Sequence, residues 1–118
     1  MAEAGLFIGW GAPITGREAK GLEVFAEVLA YYANAEQGGR IESYETVFLT
    51  PHGGDLEGFT LVRGSEAQIA ALRTEDEFER LIARATLVVQ NVGVVDAAVG
   101  DGIQEAVAVY QAAVSDLA

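Results

Sequence analysis

Apolar residues in this chain change their spacing in a fixed order, from extended runs to helical intervals and back, twice. Leu6-Phe7-Ile8-Gly9-Trp10-Gly11 is a short apolar run closed by Gly11, Pro13 and Gly16, which predicts a buried strand and then a loop. Thr15 and Glu18 stand at capping-box spacing ahead of Leu22, Phe25, Leu29 and Tyr32, so a helix is expected from about Gly16 to Gln37. Gly38-Gly39 ends it, because glycine takes the left-handed conformation of a helix terminus without a Cβ clash. From Arg40 to Thr50 Ile41, Ser43, Glu45, Val47 and Leu49 alternate with Glu42, Tyr44, Thr46, Phe48 and Thr50, the pattern of a strand. The turn cluster Pro51 to Asp55 and the extended run Leu56 to Arg63 complete an antiparallel hairpin.

Gly64-Ser65 opens a short helical piece, Glu66 to Leu72, and Thr74 with Glu77 offers a second cap for a longer helix. Phe78, Leu81, Ile82, Ala85, Val88, Val89 and Val92 hold helical spacing, which carries that helix to a boundary near Asn91. Gly93 to Val99 reads as a fourth strand ended by Gly100. Asp101 is placed to cap a last helix with Ile103, Val107, Tyr110, Val114 and Leu117 at helical intervals.

Strand, helix, strand, strand, helix, strand is the order of two split βαβ units, and right-handed crossovers close it into one antiparallel sheet with both helices on one face. The expected class is therefore α+β, a ferredoxin-like βαββαβ sandwich with an added C-terminal helix, as a single domain over residues 1–118. Large side chains stand on both faces of the strands, Leu6, Ile8 and Trp10 against Phe7 in the first. The second face needs a cover, either the C-terminal helix or a second copy, and a homodimer is expected. The element order, the length and the two-faced sheet resemble the dimeric alpha/beta-barrel superfamily of ferredoxin-like proteins. That superfamily includes antibiotic-biosynthesis-type monooxygenases, heme-degrading enzymes, chlorite dismutase-like proteins and muconolactone isomerases. The segment Gly9 to Glu18 is also similar to the start of a group of short uncharacterised bacterial proteins of this kind. The resemblance implies the fold and carries over no catalytic residue.

Charge and composition narrow the partners. With 18 acids against 7 bases the chain carries −11 at pH 7, so phosphate backbones and anionic lipid surfaces are repelled, and neither nucleic acid nor membrane is an expected partner. The absence of cysteine removes thiol catalysis and cysteine-ligated zinc. A single histidine with acids scattered over every element gives no metal-ligand spacing, and Gly9-x-Gly11 has Ile14 where a dinucleotide fingerprint needs its third glycine. No cofactor and no metal are expected. Leu6 to Trp10 is too short for a signal core or a membrane span, which makes the cytoplasm the expected compartment.

Five residues remain as candidates for chemistry. His52 has the only side chain whose ordinary pKa suits proton transfer near neutrality, and it sits in a turn, where a solvated hairpin position is the plainer alternative; Asp55 is placed to orient it. Asp96, inside a strand, is the second candidate base, or else faces solvent or an arginine such as Arg63. Trp10, beside two glycines, and Tyr44 suit the walls of a pocket or simple core and interface packing. Arg17, at the start of the first long helix, is placed to hold a carboxylate or phosphate. These residues support two readings. One is a homodimer that binds or transforms a small organic molecule in a cleft between sheet and helices, as a cofactor-independent monooxygenase- or isomerase-like enzyme with His52 or Asp96 as base. The other is a noncatalytic dimeric binding or interaction module.

Overall fold

The computed structural model describes residues 3–118. Its elements follow the expected order: β1 (Ala4–Trp10), α1 (Glu18–Gln37), β2 (Ser43–Phe48), β3 (Gly58–Gly64), α2 (Glu66–Arg73), α3 (Asp76–Thr86), β4 (Gly93–Ala98) and α4 (Gly102–Leu117). The strands form one antiparallel sheet in the order β2-β3-β1-β4, which places β1 between β3 and β4.

Register divides the side chains between two faces. Leu6 stands opposite Val62 and Asp96, Ile8 opposite Thr60 and Val94, and Val62 opposite Tyr44, so the even-numbered residues of all four strands share one face. The helices pack there. Leu6, Ile8 and Val62 meet Tyr31, Tyr32 and Ala35 of α1, Ile69 and Leu72 of α2, and Phe78 and Leu81 of α3 in one buried cluster. Phe7, Phe59, Leu61, Val47 and Val95 point to the other face, where the Phe7 and Phe59 rings stack with centroids 5.1 Å apart. Helix α4 does not cover that face: it rests chiefly on β4, and every residue after Gly102 is exposed.

Several boundaries differ from those expected, each for a local reason. The N-terminus of α1 is not closed by Thr15; Glu18 instead accepts from the Gly16 N–H at 3.0 Å, and Arg17 occupies the cap position without a side-chain bond. Thr74 likewise does not cap α3. Its hydroxyl donates back to the Ala71 carbonyl, and Glu75 takes the cap position. Asp101 caps α4 without a side-chain bond. The capping box that does form is Ser65 with Gln68, at 2.8 and 3.1 Å. Helix α3 stops at Thr86 and not near Asn91, because the chain turns at Leu87 and Val88, with the Val88 and Val89 N–H groups bonding back to the Ala85 carbonyl, and Val89 then bridges Pro13: Ile14 N–H bonds the Val88 carbonyl and Gln90 N–H the Ala12 carbonyl. The β-branched side chain of Val89 fits that bridge better than a further helical turn. Asn91, at φ 57°, then turns the chain into β4.

The end of α1 is fixed by a two-bond cap and an ionic clamp. Gly39 takes φ 74°, while the Gly39 and Arg40 N–H groups bond the carbonyls of Glu36 and Ala35. This turn aims Arg40 at Glu75, between α2 and α3. Arg40 Nη1 donates to both carboxylate oxygens at 2.6 and 2.7 Å, Tyr31 donates to Oε1 at 2.6 Å, and Arg40 Nη2 reaches Asn34 at 2.8 Å. The guanidinium also lies 5.6 Å from the centre of the Tyr31 ring. Burial first, and then the Glu75 carboxylate, push the Tyr31 hydroxyl well above the usual tyrosine range; burial does the same to Tyr32.

Two outcomes follow from the clamp. Glu75→Ala leaves Arg40 and Tyr31 without their shared acceptor and should lower stability by about 1–3 kcal/mol, read by urea denaturation. Because Tyr31 and Tyr32 hold their protons more tightly folded than unfolded, their contribution is intact below the ordinary tyrosine pKa of about 10 and is lost as pH rises above it. Tyr31→Phe should therefore flatten the alkaline fall in melting temperature, compared with the wild-type chain between pH 9 and 12.

Candidate functional site

At one end of the helix-covered face the core opens into an aromatic corner. β1 ends at Trp10, whose row continues through Gly58 of β3 to Phe48 of β2. Gly58 carries no side chain, and the indole lies across it; a Cβ there would come 2.8 Å from Cζ2 of the ring. The indole thus reaches toward Phe48, with centroids 6.2 Å apart and planes at 82°. Phe25 of α1 closes the third side, 6.0 Å from Trp10 and 5.3 Å from Phe48. These edge-to-face and tilted contacts are favourable arrangements for aromatic rings.

The corner is only partly closed. Phe48 is 67% exposed and Leu22, one helical turn before Phe25, is 72% exposed. In the first turns of α1 Leu22 faces solvent, Phe25 is half-buried and Val24 is buried. Behind the rings the next row of the sheet is polar on β2 and β3 and apolar on β1 and β4: Thr46 and Thr60 share a hydrogen bond of 2.9 Å beside Ile8 and Val94, and Thr60 is 2% exposed. A flat apolar molecule would meet aromatic surface on several sides and a hydroxyl pair at the back, the usual build of a small-molecule site.

The other candidates are spread over the fold. His52 lies in the exposed loop between β2 and β3, beyond the row of Trp10 and Phe48; its Nδ1 is 3.1 Å from the Thr50 carbonyl, so that carbonyl and not Asp55 orients the ring. Asp96 faces the helix side in the row of Leu6, four residues along β1 from Trp10. It pairs with Arg73 at 2.9 Å and not with Arg63. Strand parity is the reason: Arg63 is one residue past Val62, so it points to the open face, where Glu45 lies 3.7 Å away. The fold thus puts His52 at the Trp10 end of the sheet and Asp96 toward the opposite end.

Tyr44 shares the helix-side face but packs on Tyr32 with ring centroids 5.7 Å apart, against the core and outside the aromatic corner. Arg17 is exposed at the start of α1 and makes no ion pair among the described residues. Asp96 and Arg73 instead border a groove of about 590 Å³ between α2, β4 and the first turn of α4, whose other charged residues, Glu3, Glu66 and Glu105, are all acidic. No group of three or more metal-ligating side chains converges among the described residues, and no helix there is long and apolar enough to cross a membrane.

Phe25 and Leu22 read in sequence as ordinary positions of an amphipathic helix. That Leu22 stays exposed while Phe25 meets Trp10 and Phe48 depends on where α1 crosses the sheet, which spacing does not encode.

No family model matches the sequence, and no curated protein is similar enough to count as a relative. Solved structures do match. A dimeric ferredoxin-like protein of unknown function from Jannaschia sp. CCS1 superposes with a TM-score of 0.62 at 12% identity, covering 81% of this chain and 99% of that one. A dimeric protein of unknown function and ferredoxin-like fold from Bacteroides fragilis NCTC 9343 gives 0.59 at 10% identity, covering 81% and 96%. SnoaB, a cofactor-independent oxygenase from Streptomyces nogalater, gives 0.54 at 13% identity, covering 84% and 95%. At such identities the likeness is one of fold: strand order, crossovers and neighbours together make this a ferredoxin-like α+β protein, as its element order implied.

Proposed function

We propose that the protein is a homodimer that binds a small, flat, largely apolar organic molecule in the cleft between sheet and α1, with Trp10, Phe25 and Phe48 as its walls. The observation that carries this reading is the exposure of Phe48 and Leu22 around a half-buried indole, with the Thr46–Thr60 pair behind. Aromatic surface left open beside a polar floor has a use in ligand binding and a cost without it. The dimer is supported by the sheet face away from the helices, where Phe7, Phe59, Leu61 and Val47 are half-buried and Val95 is 54% exposed, and by the dimeric state of the two neighbours of unknown function.

Transformation of the bound molecule, of cofactor-independent monooxygenase or isomerase type, is the finer reading, and the oxygenase among the neighbours supports it. In that reading His52, displayed at the Trp10 end of the sheet, is the base at this cleft, and Asp96 with Arg73 serves the groove at the other end. In this reading Arg17, exposed at the start of α1, meets an anionic group of the ligand, while Tyr44 stays packed on Tyr32 and outside the cleft. The noncatalytic dimeric module remains the second reading, favoured by the separation of His52 from Asp96 along the sheet.

Trp10 is the only tryptophan in the chain, so indole fluorescence reports on this cleft alone. Titration with 1,4-naphthoquinone, a neutral flat quencher, should give saturable quenching, and Phe48→Ala should raise its Kd about tenfold, a change of about 1.4 kcal/mol. Linear quenching that Phe48→Ala leaves unchanged would remove the cleft as a binding site. On the open face, Phe59→Glu should convert a dimer to a monomer in native mass spectrometry; a wild-type monomer would remove the dimer. If the double variant His52→Ala, Asp96→Asn turns over a ligand as fast as wild type, neither residue is the base.

A further inference from the structure

We infer that α4 is an exchange arm that packs against a second copy of this chain and not against its own domain. The inference rests on the homodimer proposed above and adds which element crosses between the copies.

The chain is too extended for a compact monomer. Its 12.4 kDa should expose about 6,100 Å² if compact, whereas it exposes 7245 Å². Its radius of gyration is 16.1 Å, where a compact chain of this length has about 13.5 Å, and its longest axis is 52 Å. The excess area, roughly 1,100 Å², exceeds the roughly 800 Å² that each partner loses in a standard interface. Helix α4 accounts for the shape: it is about 24 Å long, and Ile103, Val107, Tyr110 and Val114 are between 47% and 71% exposed, with Leu117 at 90%.

The sequence of α4 is that of a covered helix. After Gly102 it carries only two charges, Glu105 and Asp116, in a chain that is otherwise rich in them. Alone, 16 residues make a marginal helix in water, so its stability must come from packing. Its direction is fixed where it leaves the sheet, because the Gly102 backbone lies directly on that of Glu3 and a Cβ there would fall on the Glu3 carbonyl oxygen. The arm is therefore held out from its own domain.

A second copy is the occupant that the charge and the stoichiometry favour. α4 has no basic residue, whereas helices that lie on membranes use Lys and Arg on the polar face. Each chain carries one exposed apolar arm and one apolar sheet face turned away from its helices, on which Phe7, Phe59, Leu61 and Val47 are half-buried and Val95 is exposed, and a two-fold exchange satisfies both in equal number with a closed interface.

The test is the double variant Val107→Glu, Val114→Glu in the full chain. Both positions are exposed, so the core is untouched and the variant should fold. We expect its dimer dissociation constant, from sedimentation equilibrium, to rise at least about 100-fold. A wild-type dimer whose variant keeps the same constant overturns the exchange and leaves the dimer standing; a wild-type monomer overturns both. Hydrogen exchange of the wild-type chain gives a second readout that needs no variant. The α4 amides should be protected in the dimer and lose that protection on dilution to the monomer. Protection that persists in the monomer, or is missing in the dimer, also overturns the inference.

Discussion

The structure depends on the position of β1 between two neighbours. A strand paired on both edges has its side-chain parity fixed by two registers at once, and a slip of one residue would turn Leu6 and Ile8 out of the core and Phe7 into it. From that parity follow the helix-covered face and the open face. The partner of Asp96 is set by the same rule, since Arg63 and Asp96 fall on opposite sides while Arg73 arrives from α2 above. Trp10 ends the strand on the covered side, where it meets Phe25 and Phe48 at the candidate cleft.

The second organising feature is the path of α1. At its C-terminus the helix is locked by the Gly39 cap and by Glu75, which takes donors from Tyr31 and Arg40 and so ties α1 to the junction of α2 and α3. The bidentate pair of Arg84 with Glu27, at 3.0 and 3.2 Å, holds α3 beside the middle of α1. These ion pairs and hydrogen bonds lie at the end and middle of the helix, whereas Leu22 in its first turns is exposed.

Apolar surface is distributed unlike that of a self-contained monomer. One face of the sheet, the aromatic corner and the last helix all leave large side chains in water, and the hydrophobic effect works against each of them. The three differ in shape: the corner is a local cluster of rings, as proposed for a small molecule, whereas the sheet face and the arm are broad or long, as proposed for a second copy.

Element order, and with it the ferredoxin-like fold, was legible in the alternation of spacings, because periods of two and of about 3.6 residues are properties of local backbone geometry. So were both faces of β2 and the apolar stripe of α4. The end of α3 was not, since Val88 and Val89 satisfy helical spacing and leave the helix only where hydrogen bonds reach the distant segment Ala12 to Ile14. The clamp at Glu75, the Arg73 partner of Asp96 and the joining of Phe25 with Trp10 and Phe48 lie between residues remote in sequence. Which acid meets which base, and which rings share a corner, is decided by how helices cross a sheet. Local spacing sets what each segment becomes and which face it can bury, and only tertiary packing decides what stands opposite that face.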